Sequence, residues 1–159
     1  MNRRRVFQVV VILAALMAYL TIIVGGDLTA TESGFACGSS WPFCPGGVIP
    51  PNLNNPSVAR EFTHRVVAFA TSLLILATLI LALLWYRREP RILYLSVASM
   101  ALLVVQVVLG MATVQSGLSS IVVTAHLALG TATFAVVLVL AVLSVMRPPT
   151  APVVGGAPS

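Results

Sequence analysis

Four long apolar segments constrain this chain more than any other feature. They cover about residues 6–24, 58–86, 92–114 and 121–146, and each contains an uncharged run long enough for a hydrocarbon core, which takes about 20 helical residues to cross. Only 8% of the residues are charged, against about 25% in a typical soluble domain. We therefore predict an all-α integral membrane protein. It would be one four-helix transmembrane bundle over residues 1–147, followed by a disordered cytoplasmic tail at 148–159.

The first apolar segment has an alternative interpretation as a secretory signal peptide. Three arginines at residues 3–5 precede it, as the basic region of a signal peptide would. Its apolar run is too long for that role, and no small-x-small cleavage site follows it. We therefore expect it to be the first transmembrane helix.

The arginines predict how the bundle is oriented in the plasma membrane. All nine basic residues are arginines, and only Arg60 and Arg65 fall on the side opposite to the termini. Since positive charge favours the cytoplasmic side, we predict cytoplasmic termini and a long first extracytoplasmic loop over about residues 25–59. The charges lie at helix ends, which gives no indication of nucleic-acid binding.

That loop contains both cysteines of the chain, Cys37 and Cys44. An extracytoplasmic compartment is oxidising, so a disulfide between them is permitted there. It would be either a structural staple or a redox-active pair. The spacing is not Cys-x-x-Cys, which favours the staple.

The only two histidines, His64 and His126, are expected at similar depth on two helices that run in the same direction. Ionisable side chains inside a membrane point to function, and two facing imidazoles can hold a haem iron from both sides. Ala68 and Gly130 follow them by four residues, so small side chains lie on the same faces. The alternative is that each histidine bonds to a neighbouring helix. Zinc is less favoured because it normally takes three or four protein ligands.

Two charged residues flank His64 on its helix. Glu61 shares a face with His64 and could handle protons beside a cofactor, but it is also spaced to pair with Arg65. These alternatives stay open from spacing alone. Arg65 suits either a haem propionate or a lipid phosphate. On the third helix, Gln106 and its small neighbours are expected to serve helix packing rather than substrate contact.

In combination, these residues resemble the haem A synthase family. The resemblance covers all four helices but not the tail, and the Cys-x6-Cys loop followed by Glu-x-x-His-Arg is its most specific part. The matching motifs are Gly34-Phe35-Ala36-Cys37-x6-Cys44, Glu61-x-x-His64-Arg65, Gln106-x-x-x-Gly110-x-x-Thr113-Val114 and His126-Leu127.

The resemblance implies one of two similar four-helix halves, the N-terminal catalytic one, of an eight-helix enzyme. That enzyme oxidises a methyl group of haem O to the formyl group of haem A for terminal oxidase biogenesis. By position, His64 and His126 would be axial iron ligands of haem b or haem O. Glu61 would be the catalytic carboxylate, Arg65 a cofactor contact, and Cys37 and Cys44 the redox or structural pair.

The resemblance also implies partners. Haem O would be the substrate and lipid the surroundings, with haem O synthase or terminal oxidase assembly factors as further candidates. One histidine pair cannot hold two haems in a single chain, so we expect a homo-oligomer, a dimer or larger. Two other functions stay open. One is a non-enzymatic bis-histidine b-type cytochrome or haem carrier, and the weaker one is a quinone-linked thiol oxidase.

Overall fold

The computed structural model describes residues 2–146, and within that range the chain forms four α-helices and no β-strand. All four are long and apolar enough to cross a membrane. This confirms the predicted all-α, four-helix membrane protein. Arg147 and the tail expected at 148–159 lie outside the described residues. The helices are α1 (Arg3–Ala30), α2 (Pro56–Trp85), α3 (Pro90–Gln115) and α4 (Ser120–Met146).

Local sequence explains where the helices begin. The side chains of Asn2 and Asn55 accept hydrogen bonds from the amides of Arg4 and Ser57, at 3.2 and 3.0 Å, which caps α1 and α2. Helices α2 and α3 each open on a proline, whose missing N–H costs nothing in the first turn. Asparagine and proline therefore fix the starts of the first three helices.

The helices form an up-and-down ring. Each packs against its neighbours in sequence, and α1 packs against α4 to close the ring. This order makes α2 and α4 diagonal partners that run in the same direction. Both begin at one end of the bundle, called here the loop end, where residues 31–55 and the 116–119 turn also lie.

Apolar packing is concentrated away from the loop end. The main buried cluster includes Phe7, Val11, Ile75, Ile92 and Leu140, which come from the halves of the helices nearest the termini. Large apolar side chains also cover the outside of the helices, as expected for surfaces in contact with lipid. The loop end, by contrast, contains the buried side chain of Glu61 and both histidines. The fold therefore places the main apolar cluster in one half of the bundle, and the buried Glu61 with both histidines in the other.

Helix α1 is longer than the sequence predicts. The prediction ended it near residue 24, where the apolar run ends, but the helix continues through two glycines to Ala30. Leu28 is buried on the extra turn, and Asp27 pairs with Arg60 of α2 at 3.3 Å. These tertiary contacts offset the low helix propensity of glycine, so the loop is confined to residues 31–55.

Candidate functional site

The loop contains a small disulfide ring. Cys37 and Cys44 are bonded, with their Cα atoms 5.0 Å apart, and both side chains are buried. They pack with Val58 of the first turn of α2. Gly34 approaches Leu118 of the α3–α4 turn, so the loop reaches across the loop end of the bundle. The disulfide ring therefore lies against the helix that carries His64.

Glu61 and Arg65 fasten this ring to α2. The Glu61 side chain is buried, and its Oε2 accepts a hydrogen bond of 2.8 Å from the backbone N–H of Cys37. Its Oε1 pairs with the guanidinium of Arg65. Arg65 also donates from Nη1 to the carbonyls of Ser40 and Pro42, at 2.9 and 3.0 Å. Of the two arrangements that spacing left open for Glu61, the structure contains the pair with Arg65.

These contacts describe a clasp made of Glu61, Arg65 and the backbone of residues 37–42. Both oxygens of the carboxylate are engaged, and the guanidinium points at loop carbonyls. The expected contact of Arg65 with a cofactor and the catalytic role of Glu61 therefore stay predictions. What the geometry directly supports is that this pair holds the disulfide ring one helical turn from His64.

His64 projects from α2 towards the last part of α1. A Cβ built on Gly25 would lie 3.1 Å from Cε1 of the imidazole, closer than a side chain tolerates without movement of its neighbour. Gly25 therefore makes the space in which this ring sits. The Nδ1 atom of His64 is buried, and no hydrogen-bond partner for it occurs among residues 2–146.

His126 is seated in the same way between α4 and α3. A Cβ built on Gly110 would lie 3.2 Å from Cε1 of its imidazole, and Nδ1 is again buried without a hydrogen-bond partner in the described chain. Its Nε2 lies 3.4 Å from the amide nitrogen of Gln106. That amide occupies the space beside Gly130, where a built Cβ would lie 2.9 Å from it. Gly130 therefore accommodates Gln106 in this structure.

The two histidines have corresponding positions. His64 is about 12 Å and His126 about 9 Å along its helix from the loop end, at 1.5 Å per residue. The two helices are diagonal across the ring. Two half-buried rings at matched depth, each lying against a glycine of a neighbouring helix, fit the axial ligands of a haem iron.

A bare metal ion fits this site less well. Within the described range, no three side chains of the His, Cys, Asp and Glu types are grouped so that they could hold one. A haem iron receives four ligands from its macrocycle and needs only two from protein. A separate cavity of about 450 Å³ lies between α1 and α4 towards the opposite end, and its lining is almost wholly apolar. Neither histidine lines this cavity.

Sequence reasoning missed three residues that contact the histidines. Gln106 and Gly110 were assigned to helix packing, and Gly25 was placed in the loop, yet all three lie against an imidazole. The i, i+4 spacing of Gln106 and Gly110 was an available signal, because it places both on one face of α3. Which residue of α4 faces them depends on how the two helices are rotated about their axes, and residue spacing does not give that rotation.

Fold and site together define a class: an integral membrane four-helix bundle with a diagonal histidine pair beneath a disulfide-closed loop. Residues 54–157 match the model of the COX15-CtaA family, described as cytochrome oxidase assembly proteins. The chain belongs to this family, which confirms the resemblance found in the sequence.

Curated relatives agree with this assignment. The chain is 35% identical to haem A synthase of Geobacillus thermodenitrificans over 130 residues, which is 80% of this chain and 40% of that protein. It is 36% identical to haem A synthase of Bacillus licheniformis and 35% identical to that of Lysinibacillus sphaericus, covering 42% of each. The chain thus spans about two fifths of the length of these relatives.

Proposed function

We propose that this protein binds haem between His64 and His126 and acts as a haem A synthase-like oxidoreductase. The observation that carries the proposal is the diagonal pair of half-buried imidazoles at matched depth, each lying against a glycine of a neighbouring helix. Membership of a family that includes haem A synthases supplies the reaction class. The substrate would be haem O, with one methyl group oxidised to the formyl group of haem A. This is a four-electron oxidation, so an electron acceptor from outside the chain would have to take the electrons.

The protein's own residues have distinct parts in this proposal. His64 and His126 would hold the iron, and the bound haem would supply the redox chemistry. Gly25 and Gly110 leave room for the two rings. Glu61 would assist oxidation at the methyl group, for which its pair with Arg65 has to open. Until then the pair keeps the disulfide ring in place over α2.

The membrane arrangement belongs to the same proposal. Positive-inside bias favours cytoplasmic termini, and this orientation would put the disulfide ring and the histidines towards the extracytoplasmic side. The oxidising conditions there support a stable Cys37–Cys44 bond. One histidine pair serves one haem, so we propose that two or more copies associate to provide a second haem site.

A second candidate function is a haem carrier or b-type cytochrome without synthase activity. The observation in its favour is the full engagement of the Glu61 carboxylate, which leaves neither oxygen free in this structure. A carrier needs the histidine pair but no free carboxylate. The clasp would then serve only to fix the loop.

One experiment separates the two candidates. Membranes containing the protein are supplied with haem O, and the haems are then extracted and identified by chromatography. The synthase proposal predicts haem A with the wild type and a loss of haem A with Glu61→Gln, which still binds haem. Haem A that is absent with the wild type, although haem is bound, would favour the carrier. Haem A that is undiminished in Glu61→Gln would remove Glu61 from the reaction.

A further inference from the structure

The side chain of Gln106 is only partly satisfied beside His126. Its amide nitrogen lies 3.4 Å from Nε2 of His126, whereas its carbonyl oxygen Oε1 is buried and has no partner among the described residues. Gly130 leaves the space in which the amide sits. A buried amide oxygen without a hydrogen bond costs about 1–3 kcal/mol, so this arrangement favours movement of the side chain when an alternative becomes available.

The contact between Gln106 and His126 is also weak. Hydrogen bonds of the N–H···N type are most favourable near 3 Å, and 3.4 Å is at the long limit. With the amide as donor, Nε2 of His126 accepts through its lone pair. A metal bound at that nitrogen needs the same lone pair, so the amide and the metal exclude each other at Nε2.

The two histidines differ in this respect. His64 lies against the backbone of Gly25, and no side chain in the described range contacts one of its ring nitrogens as Gln106 contacts His126. Ligation at His64 Nε2 therefore displaces no amide. His64 would therefore bind iron without competition, whereas His126 would bind it in competition with the amide of Gln106.

We propose that Gln106 is a gate for haem exchange at His126. This inference rests on the proposed haem site and adds that one of its two ligands is displaced more easily than the other. In the haem-free protein the amide of Gln106 donates to Nε2 of His126. It moves away when haem binds there, and it returns as haem leaves. The bond from His126 to the iron then breaks more readily than the bond from His64. A protein that takes in one haem and releases another benefits from one ligand that is easily displaced.

Haem binding to the purified, haem-free, full-length protein tests the gate. Gln106→Leu removes the amide and leaves His126 unchanged, so the dissociation constant and dissociation rate should both fall about two- to tenfold, the equivalent of one competing hydrogen bond. Gln8→Leu is the matched control, because Gln8 also bonds between helices, to the carbonyl of Ser144 at 2.8 Å, but at the opposite end. It should leave both constants unchanged.

A double-mutant cycle shows whether the effect passes through His126. In a His126→Ala background the Gln106→Leu change should no longer alter haem affinity, since there is no Nε2 for the amide to occupy. An effect of Gln106→Leu that persists in this background would instead reflect a more apolar cavity, and it would overturn the gate. Equal or weaker haem binding by Gln106→Leu in the wild-type background would overturn it too.

A haem-free measurement keeps this inference separate from the proposed function. The chain has only two histidines, so nitrogen NMR of ¹⁵N-histidine-labelled protein shows four ring nitrogens. The Nε2 resonance of His126 should shift in Gln106→Leu, and also in Gly130→Ala, whose methyl group would displace the amide. No shift in either variant would overturn the gate while leaving the haem site standing. Wild-type protein that binds no haem would overturn both.

Discussion

Replacement of Arg65 by glutamine should release the disulfide ring from α2. The change removes the guanidinium that pairs with Glu61 and donates to the carbonyls of Ser40 and Pro42. Glu61 is only 2% exposed, so its carboxylate would stay buried with a single remaining donor, the N–H of Cys37. Loss of one partner from a buried ion pair costs about 3–5 kcal/mol.

The backbone amide of Cys37 reports this loss directly, because it donates to Glu61. Its hydrogen exchange depends on how often the clasp opens. A cost of about 3–5 kcal/mol corresponds to exchange that is faster by roughly two to three and a half orders of magnitude, at 1.4 kcal/mol for each factor of ten. Hydrogen–deuterium exchange with mass spectrometry of the peptide containing Cys37 measures it.

Arg60→Gln is the matched control for this experiment. Arg60 lies five residues before Arg65 on α2 and pairs with Asp27, but the two side chains are 42% and 52% exposed. Exposed pairs contribute at most about 1 kcal/mol, so exchange at Cys37 should change by less than about fivefold. Equal exchange in Arg65→Gln and Arg60→Gln would refute the clasp.

Two further predictions concern the walls of the site. Gly25→Ala should displace the His64 ring and weaken haem binding or shift its electron paramagnetic resonance signal, because the new Cβ would lie 3.1 Å from the imidazole. Gly26→Ala is its control: nothing lies within 4 Å of that position, so the haem spectrum should stay unchanged and the helix should gain up to about 1 kcal/mol. An unchanged spectrum in both variants would argue against a close contact between Gly25 and the His64 ring. Replacing Cys37 and Cys44 by serine should lower stability by about 2–3 kcal/mol, measured by thermal unfolding with and without reductant, and an unchanged melting temperature would exclude a staple.

Much of the fold follows from the sequence because the membrane simplifies the problem. An apolar run of about 20 residues has few alternatives to a spanning helix, so the number of helices and the fold class were predictable. The end of α1 was not. Consecutive glycines normally weaken a helix, and here the turn is kept by the Asp27–Arg60 pair and buried Leu28, which are tertiary contacts.

The candidate site was predictable in its residues but not in its contacts. Histidine scarcity and matched depth single out His64 and His126 from sequence. Whether Glu61 faces a cofactor or Arg65 depends on the path of the loop. Residue spacing along α2 does not determine that path. The contact of Gln106 with His126 depends on how α3 and α4 are rotated about their own axes. Both helices are apolar on all sides, so their sequences do not indicate which face points to which neighbour.

The central claim is that one haem is held between the two histidines. The most direct test is electron paramagnetic resonance of the purified protein reconstituted with ferric haem. The wild type should give the low-spin signal of six-coordinate iron with two imidazole ligands, and His64→Ala and His126→Ala should each lose it. A wild type that binds no haem, or a low-spin signal that survives either substitution, would contradict the claim.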